Sequence, residues 1–336
     1  MNLGIRDDNI SANRFALIEA VRGAAAILVV WSHTIDKSGY IYKYIFDPGK
    51  IGVVIFFFIS GYLVIPSAAK DGRLDLFIVK RFFRLYPLYW ISLLLAYIYW
   101  RDDFSIYTWI ANATMAQQLL GLENVIDVYW TLTIEFLLYI IVASMLFMWP
   151  KEIIKKLPTL ILVTSLLCLL LGALRMGLQV KLPTAIPLGL LSMFVGAKIR
   201  VDLIAGRSIM PLAISYLAVV VPTTLMAYSF EVQYGETSSR YAVSYILGGL
   251  VFYFVAKFPN FNLGKHLRTL GHFSYGIYLF HLLFTYKLEP FLGKGPYLFC
   301  AVLAVSIAFS APLYYYIERP AAEFGRILAG RRLAQP

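Results

Sequence analysis

The first apolar segment of the chain carries three ionisable residues, Glu19, Arg22 and His33. His33 follows Arg22 by eleven residues, close to three turns of an α-helix, and Glu19 precedes Arg22 by three. The three side chains are therefore expected on one face of one helix. Ionisable groups at membrane depth are energetically unfavourable and usually face a protein interior or a wet cavity. A carboxylate, a guanidinium and an imidazole on one helix face indicate a catalytic or binding role for this helix rather than membrane anchoring alone.

A second basic motif begins the third apolar segment, where Arg84 follows Arg81 by three residues. On a helix this spacing makes the two guanidinium groups project together. Each guanidinium fork can hold phosphate oxygens through two hydrogen bonds, so the pair suits a phosphorylated ligand. The alternative is a basic anchor beside the lipid headgroups on the cytoplasmic side.

Polar residues recur deeper in two later segments. Glu135 follows Thr131 by one helical turn, and an intramembrane carboxylate is expected to have a cationic partner. Glu135 would then either orient a catalytic group or neutralise an arginine. Ser274, Tyr278 and His281 follow a 4+3 spacing and form a polar stripe on the ninth segment. For His281, a structural hydrogen bond is at least as plausible as catalysis.

Two further motifs concern the shape of the helices. Ser60 and Gly61 interrupt the second segment, and Pro66 follows them, so we expect this helix to be broken or tilted. The Ser-Gly pair would serve close packing or a ligand equally well. Glu318 and Pro320 lie at the last cytoplasmic boundary. Glu318 is predicted to pair with an arginine, and Pro320 is predicted to stop or redirect the helix.

The elements that must position these residues are membrane-spanning helices. The chain of 336 residues is 60% hydrophobic, with a mean hydropathy of +0.71, whereas soluble domains are about 45–50% apolar. We predict an all-α, polytopic integral membrane bundle of about ten transmembrane helices, forming a single domain over 1–336. The predicted spans are 15–35, 51–68, 85–100, 128–149, 157–174, 182–199, 209–229, 241–257, 270–288 and 296–317. The connection 101–127 is expected to hold a small surface helix.

Charge in the connections supports this topology. With the N-terminus in the cytoplasm, twenty Lys and Arg residues fall on the inner side and nine on the outer side. Both termini are then cytoplasmic, and the net charge of +11 reflects this bias rather than nucleic-acid binding. Cys168 and Cys300 fall in apolar spans and indicate neither a disulfide framework nor a metal site. The first span is expected to be retained rather than cleaved.

The motifs, in their order, resemble the membrane-bound acyltransferase family 3, which includes many bacterial carbohydrate O-acetyltransferases. The similarity covers about residues 14–320. The matching motifs are 18–23 with His33, then 52–63, 81–87, 130–135, 274–281 and 318–320. Glu19 stands where the family usually has Asp, and Phe136 stands where a second acid often follows. The chain ends shortly after the last span, which predicts no fused extracytoplasmic domain.

The resemblance implies transfer of an acyl group, most often acetyl, from cytoplasmic acyl-CoA to a hydroxyl of a cell-surface or lipid-linked sugar, such as an O-antigen or exopolysaccharide unit. The location implied is the bacterial inner membrane, with no permanently bound cofactor and no metal. Arg22, Arg81 and Arg84 would bind the donor. The catalytic residues would be His33 and Glu135. His33 would act as general base or carry the acyl group transiently, and Glu135 or Glu19 would orient charged partners. Tyr278 or a main-chain N–H would steady the oxyanion. The supporting residues would be Glu19, Ser60, Gly61, Thr131, Ser274, Tyr278, His281 and Glu318.

Three alternatives stay open at this point. A transporter of an anionic or glycan-linked solute would use the same buried charges without coenzyme A, although the halves of the chain show no inverted repeat. An acyltransferase acting on a small-molecule hydroxyl would share the donor site. A non-catalytic membrane scaffold would leave the many polar residues at membrane depth unexplained.

Overall fold

The computed structural model describes residues 3–228 and 237–333, and throughout these ranges the regular structure is helical. The first seven α-helices are α1 (Leu3–Thr34), α2 (Tyr40–Tyr44), α3 (Pro48–Asp71), α4 (Leu74–Trp100), α5 (Ile106–Ala113), α6 (Tyr129–Met148) and α7 (Ile153–Leu178). The remaining six are α8 (Ala185–Ile204), α9 (Met210–Ala227), α10 (Ser238–Lys257), α11 (Lys265–Leu292), α12 (Pro296–Leu313) and α13 (Arg319–Leu333). A 3₁₀ turn covers Gln117–Leu120, and a π-helical turn covers Tyr314–Glu318.

Within the described ranges, eight helical segments are long and apolar enough to cross a membrane. They are Ala12–Thr34, Pro48–Asp71, Leu74–Trp100, Tyr129–Met148, Ile153–Leu178, Met210–Ala227, Ser238–Lys257 and Pro296–Gly330. α8 and α11 lie in the two other predicted spans, 182–199 and 270–288, and are not among these eight segments. Residue 229 of the predicted span 209–229 lies outside the described residues. The predicted all-α, polytopic membrane architecture is confirmed.

The second span is an unbroken helix, so the expected break in α3 is wrong. Gly61 serves close helix packing, one of the two roles expected for the Ser-Gly pair, because a Cβ at this position would lie 1.7 Å from the carbonyl oxygen of Met193 in α8. Gly196 of α8 is equally close to α3, because a Cβ added at Gly196 would lie 2.3 Å from the carbonyl oxygen of Phe58. Small residues let two membrane helices approach until their backbones touch.

Pro320 does not stop the last helix, which corrects a second expectation. Helical structure is continuous from α12 through the π-helical turn Tyr314–Glu318 into α13, and Pro320 lies directly after that turn as the second residue of α13. Proline has no N–H for the helical hydrogen-bond ladder, and a π-helical turn is a local irregularity of that ladder. α13 then packs along α4, with a Cβ at Gly325 only 2.8 Å from the Cβ of Phe83. The predicted surface helix in 101–127 is confirmed as α5.

The chain forms two compact units, and neither is continuous in sequence. One comprises Met1–Pro66 and Ile154–His272, and the other comprises Ser67–Ile153 and Phe273–Pro336. Hydropathy alone shows a single series of spans and does not reveal this division.

Each unit has its own aromatic core. In the first unit, the Phe58 ring stacks on Phe252 with ring centres 5.0 Å apart, and Tyr216 meets Phe58 edge-on at 5.1 Å. In the second unit, Tyr89 and Tyr129 are fully buried with ring centres 4.8 Å apart. Offset and edge-on aromatic pairs stabilise cores beyond the burial of their area.

Candidate active site

In the first unit, α1 carries an ion pair near the middle of its length. Arg22 Nη1 donates to both carboxylate oxygens of Glu19, at 3.0 and 3.3 Å. His272 Nδ1 lies 3.6 Å from the second of these oxygens. The start of α11 is pressed against this turn, because a Cβ at Gly271 would lie 1.9 Å from the carbonyl oxygen of Glu19. The positive charge of Arg22 is therefore compensated by a carboxylate on its own helix.

His33 lies half-buried near the other end of α1. Its Nδ1 is 2.9 Å from the carbonyl oxygen of Val29, one turn earlier. Because a carbonyl only accepts hydrogen bonds, Nδ1 carries the proton in the neutral ring, and Nε2 carries the lone pair. This hydrogen bond assigns the tautomer that can accept a proton from a hydroxyl group. Along the helix axis, His33 is roughly 16 Å from Arg22 at 1.5 Å per residue.

A buried charge cluster holds the same end of α1. Ser32, the residue before His33, donates its hydroxyl to Asp47 Oδ1 at 2.8 Å. The other oxygen of Asp47 accepts from Arg240 at 2.5 Å and from Lys50 Nζ at 3.3 Å. Asp47 and Arg240 expose only 4% and 8% of their side chains, so this pair is largely withdrawn from water. The cluster therefore ties α1, α3 and α10 together beside His33.

The protonation state of Asp47 follows from these neighbours. Burial alone would raise the pKa of this carboxyl, but the positive charges of Lys50, Lys37 and Arg240 and the hydrogen bond from Ser32 hold the pKa below its usual range. Asp47 is therefore ionised at neutral pH and supplies a fixed negative charge.

In the second unit, the two arginines at the start of α4 have different partners. Arg84 forms an ion pair with Glu318, which is 1% exposed, and this confirms the expected pairing of Glu318 with an arginine. Arg81 forms no ion pair with a carboxylate of the described chain. Its guanidinium instead lies 5.9 Å from the ring centres of both Phe77 and Tyr139. Its Nε is buried and, within residues 3–228 and 237–333, has no hydrogen-bond acceptor.

Glu135 is connected to the same arginine through a tyrosine. The Tyr139 hydroxyl donates to Glu135 Oε1 at 2.6 Å, one turn along α6. The face of the Tyr139 ring meets Arg81, an arrangement that favours the guanidinium cation. Glu135, Tyr139 and Arg81 thus form one continuous polar chain within this unit.

The polar stripe of α11 makes hydrogen bonds inside the second unit. The hydroxyl groups of Thr131 and Tyr278 lie 2.6 Å apart, and both are within 3.1 Å of the carbonyl oxygen of Val128. The single phenolic proton of Tyr278 is thereby engaged in holding α11 to α6. His281 is fully buried, and its Nδ1 lies 3.1 and 2.8 Å from the carbonyl oxygens of Ile277 and Tyr278. Ser274 is also fully buried.

The comparisons with known proteins agree with the motif order. The family model Acyl_transf_3, described as an acyltransferase domain, matches residues 15–315. The chain belongs to this acyltransferase family. The predicted family and the predicted class of enzyme, an acyltransferase, are therefore confirmed.

Three curated relatives show how widely the acyltransferase family is spread. A predicted acetyltransferase of Acidianus two-tailed virus is 26% identical over 313 residues, 87% of this chain and 88% of the relative. Nodulation protein 10 of Rhizobium leguminosarum bv. viciae is 26% identical over 323 residues, 84% and 85% of the two chains. An O-acetyl transferase of Shigella phage Sf6 is 31% identical over 144 residues, 37% and 43% of the two chains. No solved structure matches the chain.

In this acyltransferase, the predicted site residues fall into two sets, one in each unit. The first unit contains Glu19, Arg22, His33, Ser60 and Gly61, and the second contains Arg81, Arg84, Thr131, Glu135, Ser274, Tyr278, His281 and Glu318. Within the first set, Glu19 and Arg22 form an ion pair, and within the second set, Arg84 and Glu318 form another.

Sequence reasoning missed Ser32, Asp47 and Arg240. Asp47 had a local signal, because an Asp followed directly by Pro48 is typical of a helix start, with Pro at the first helical position. Arg240 had no such local signal, because the residues next to it in the sequence do not indicate a partner 193 residues away.

Proposed function

We propose that this acyltransferase transfers an acetyl group from cytoplasmic acetyl-CoA to a hydroxyl of a cell-surface or lipid-linked carbohydrate. The observation that carries the proposal is the hydrogen bond from His33 Nδ1 to Val29, because it leaves Nε2 as the basic atom of the neutral ring. The names of the viral and phage relatives, an acetyltransferase and an O-acetyl transferase, support acetyl as the group transferred.

The chemistry proposed for His33 is general-base catalysis. Nε2 accepts the proton of the acceptor hydroxyl while the hydroxyl oxygen attacks the thioester carbonyl carbon. The carbon–sulfur bond then breaks, the proton passes to the departing sulfur, and the products are the O-acetyl ester and coenzyme A. The fixed charge of Asp47 and its bond to Ser32 position the turn of α1 that carries His33.

Arg81 is the first choice among the three arginines for binding the donor phosphates. Arg22 and Arg84 are each paired with a carboxylate, which reduces the positive charge that they present. Arg81 has an aromatic environment, no carboxylate partner in the described chain and a buried Nε donor without an acceptor. A phosphate oxygen would satisfy this donor and the guanidinium charge together. Coenzyme A carries such phosphates.

The proposed location is the bacterial inner membrane, with multiple spans and both termini in the cytoplasm. The excess of Lys and Arg in the connections assigned to the inner side supports this orientation. The acceptor proposed is an O-antigen or exopolysaccharide unit, since a lipid-linked or surface glycan would meet the outer half of α1, where His33 lies in this topology.

The test uses membranes that contain the full chain, radiolabelled acetyl-CoA and candidate lipid-linked glycans. His33→Gln should reduce label transfer by about 10²–10⁴-fold, the usual contribution of a general base. His266→Gln is the matched control, because His266 is exposed at the start of α11. Transfer that is unchanged in His33→Gln, with insertion confirmed, would remove His33 from the mechanism.

The same membranes separate general-base catalysis from a covalent acyl-histidine. If the acceptor is omitted, base catalysis leaves the protein unlabelled, whereas an acyl-histidine would accumulate label on the wild-type chain and not on His33→Gln. A transporter would move its solute without consuming acetyl-CoA. If only a small hydroxyl compound is acetylated, and no glycan is, the acceptor is a small molecule and not a carbohydrate of the cell surface.

A further inference from the structure

A cleft of about 690 Å³ lies in the second unit, between the connection from α4 to α6 and the last turns of α11. Two aromatic side chains, Trp100 and Tyr286, form part of its wall. Three carboxylates, Asp103, Glu123 and Asp127, form another part. The amides of Gln118 and Asn124 complete the polar lining. The cleft shares no residue with the groups described above, so its chemistry is separate from theirs.

Buried amides hold the cleft in shape. Asn112 is fully buried; its Nδ2 donates to the carbonyl oxygen of Glu123 at 2.9 Å, and its Oδ1 accepts from the N–H of Val125 at 3.1 Å. Gln117 is also fully buried and donates to Asn124 Oδ1 at 2.8 Å. These hydrogen bonds therefore hold the loop that lines the cleft in one position, and a binding site requires lining residues that are held in place.

The aromatic wall offers a surface for an apolar ring face. The rings of Trp100 and Tyr286 meet edge-on, with centres 5.5 Å apart and planes at 88°. The Tyr286 hydroxyl donates to Asp127 Oδ2 at 3.1 Å, which fixes the carboxylate beside the aromatic pair. A sugar combines C–H faces that pack on aromatic rings with hydroxyls that donate to carboxylates and exchange hydrogen bonds with amides. Concave sites with a few fixed polar groups are the usual form of a small-molecule pocket.

The charge of the cleft restricts its ligand. Its described lining contains three carboxylates and neither Lys nor Arg, although the chain as a whole is strongly basic. Neighbouring cations have other contacts: Arg101 pairs with Asp102, and Lys287 lies 4.0 Å from the centre of the Tyr99 ring. A cleft lined by one sign of charge repels ligands of the same sign. Coenzyme A and uronic acids would therefore be disfavoured there.

We infer that this cleft binds the sugar chain of the acceptor, and that it accepts uncharged or amino-bearing sugars and excludes uronic acids. This inference rests on the proposed function, because it identifies where the acceptor of that reaction is recognised. The sequence-based topology supports it, since the connection 101–127 is predicted on the outer side of the membrane, where a surface or lipid-linked glycan is found.

The test measures binding alone, with the full chain in detergent and without acetyl-CoA. The probe is an array of neutral, amino-sugar and uronic-acid oligosaccharides, and the tightest binder is then titrated calorimetrically. We expect binding to the first two classes only. Trp100→Ala and Asp103→Asn should each weaken it about tenfold, since about 1.4 kcal/mol per lost contact corresponds to that factor.

Asp102→Asn is the matched control, because Asp102 is the exposed neighbour of Asp103 and does not line the cleft. The inference is overturned if no oligosaccharide binds, if uronic acids bind as tightly, or if the cleft variants bind like this control. The binding assay also distinguishes its own failure from that of the proposed function. Sugar binding without acetyl transfer would reject the proposed reaction and support the sugar site in the cleft. Acetyl transfer together with unchanged sugar binding in the cleft variants would support the reaction and reject the sugar site.

Discussion

Arg240 lies 193 residues after Asp47 in the sequence, and its guanidinium donates to Asp47 Oδ2 at 2.5 Å. The opposite oxygen of the same carboxylate accepts from Ser32, the residue before His33. The end of α1 that carries the proposed base is therefore held by a charge pair from two other helical regions. His33 depends for its position on residues that no local motif connects to it.

Asp47→Asn should destabilise the protein and reduce transfer together. The substitution keeps the size of the side chain but leaves the largely buried Arg240 without its countercharge, and breaking a buried pair typically costs about 3–5 kcal/mol. Thermal unfolding in detergent gives the stability, and the acetyl-CoA assay gives the rate. Asp36→Asn, an exposed carboxylate on the same connection, is the control. Equal unfolding of Asp47→Asn and wild type would show that the pair does not hold this region.

The stabilising effect of Asp47 should depend on pH in one direction. Because folding lowers the pKa of Asp47 below its usual value of about 3.9, the ionised group stabilises the fold fully above that value. The contribution is lost as the pH falls through the folded-state pKa. The difference in unfolding temperature between wild type and Asp47→Asn should thus stay constant from about pH 5.5 to 8 and shrink below about pH 4. A difference that grows in acid would contradict this assignment.

Arg81→Gln should weaken donor binding more than it slows the chemical step. Loss of a charge-assisted hydrogen bond of about 1.5–3 kcal/mol predicts a KM for acetyl-CoA raised about tenfold or more, with little change in kcat. The adjacent Lys80→Gln is the control, because Lys80 Nζ is already paired with Asp71 at 2.6 Å. If both variants keep the wild-type KM, Arg81 does not bind the donor.

The pair Arg84–Glu318 should behave as a structural unit. Glu318 is 1% exposed, so Arg84→Gln leaves a buried carboxylate without its ion-pair partner, and Glu318→Gln leaves the cation without its countercharge. Each single variant should unfold at a lower temperature, and the double variant should lose less than their sum. A coupling energy of about 0.5–3 kcal/mol is expected from the double-mutant cycle. Strictly additive losses would mean that the two residues act independently.

Gly61→Ala tests the close packing of α3 and α8. Its new methyl group would lie 1.7 Å from the Met193 carbonyl oxygen, so the two backbones must separate, and overpacking of this kind usually destabilises by about 1–3 kcal/mol or more. Gly177→Ala in α7 is the control, since no atom lies within 4 Å of its added Cβ. That control should be neutral or stabilise by about 0.5–1 kcal/mol through helix propensity. A stable Gly61→Ala protein would show that the helices can move apart.

The sequence was most informative where the signal is local. Helical spacing placed Glu19 beside Arg22, and the position of Glu318 at the end of the last apolar span indicated that it needs an arginine. Both ion pairs are present. Hydropathy located the long helices because each must cover the hydrocarbon layer by itself. Contacts between distant segments were not accessible in this way, so the partner of Asp47 was missed.

The two errors in helix shape have a common origin. A break at Gly61 and a stop at Pro320 were expected from the freedom or restriction of their own backbone, although close packing was also expected for the Ser-Gly pair. Gly61 instead lies against the carbonyl oxygen of Met193, and packing of that kind overrides local preference. Pro320 directly follows a π-helical turn, and the helix continues on both sides of that turn. Whether a Gly or Pro ends a helix therefore depends on the neighbouring segments as well as on the residue.

The π-helical turn Tyr314–Glu318 has a consequence for how the C-terminal helix is oriented. A π-turn closes a hydrogen bond across five residues rather than four, so it inserts one residue into the helical repeat. One residue corresponds to a rotation of about 100° about the helix axis. The phase of α13, which places Gly325 against Phe83, is therefore set by the number of residues in this turn and not by their identity. Substitutions in the turn at positions other than Glu318, which pairs with Arg84 of α4, are compatible with the same seating. A one-residue insertion or deletion would turn a different side of α13 toward α4.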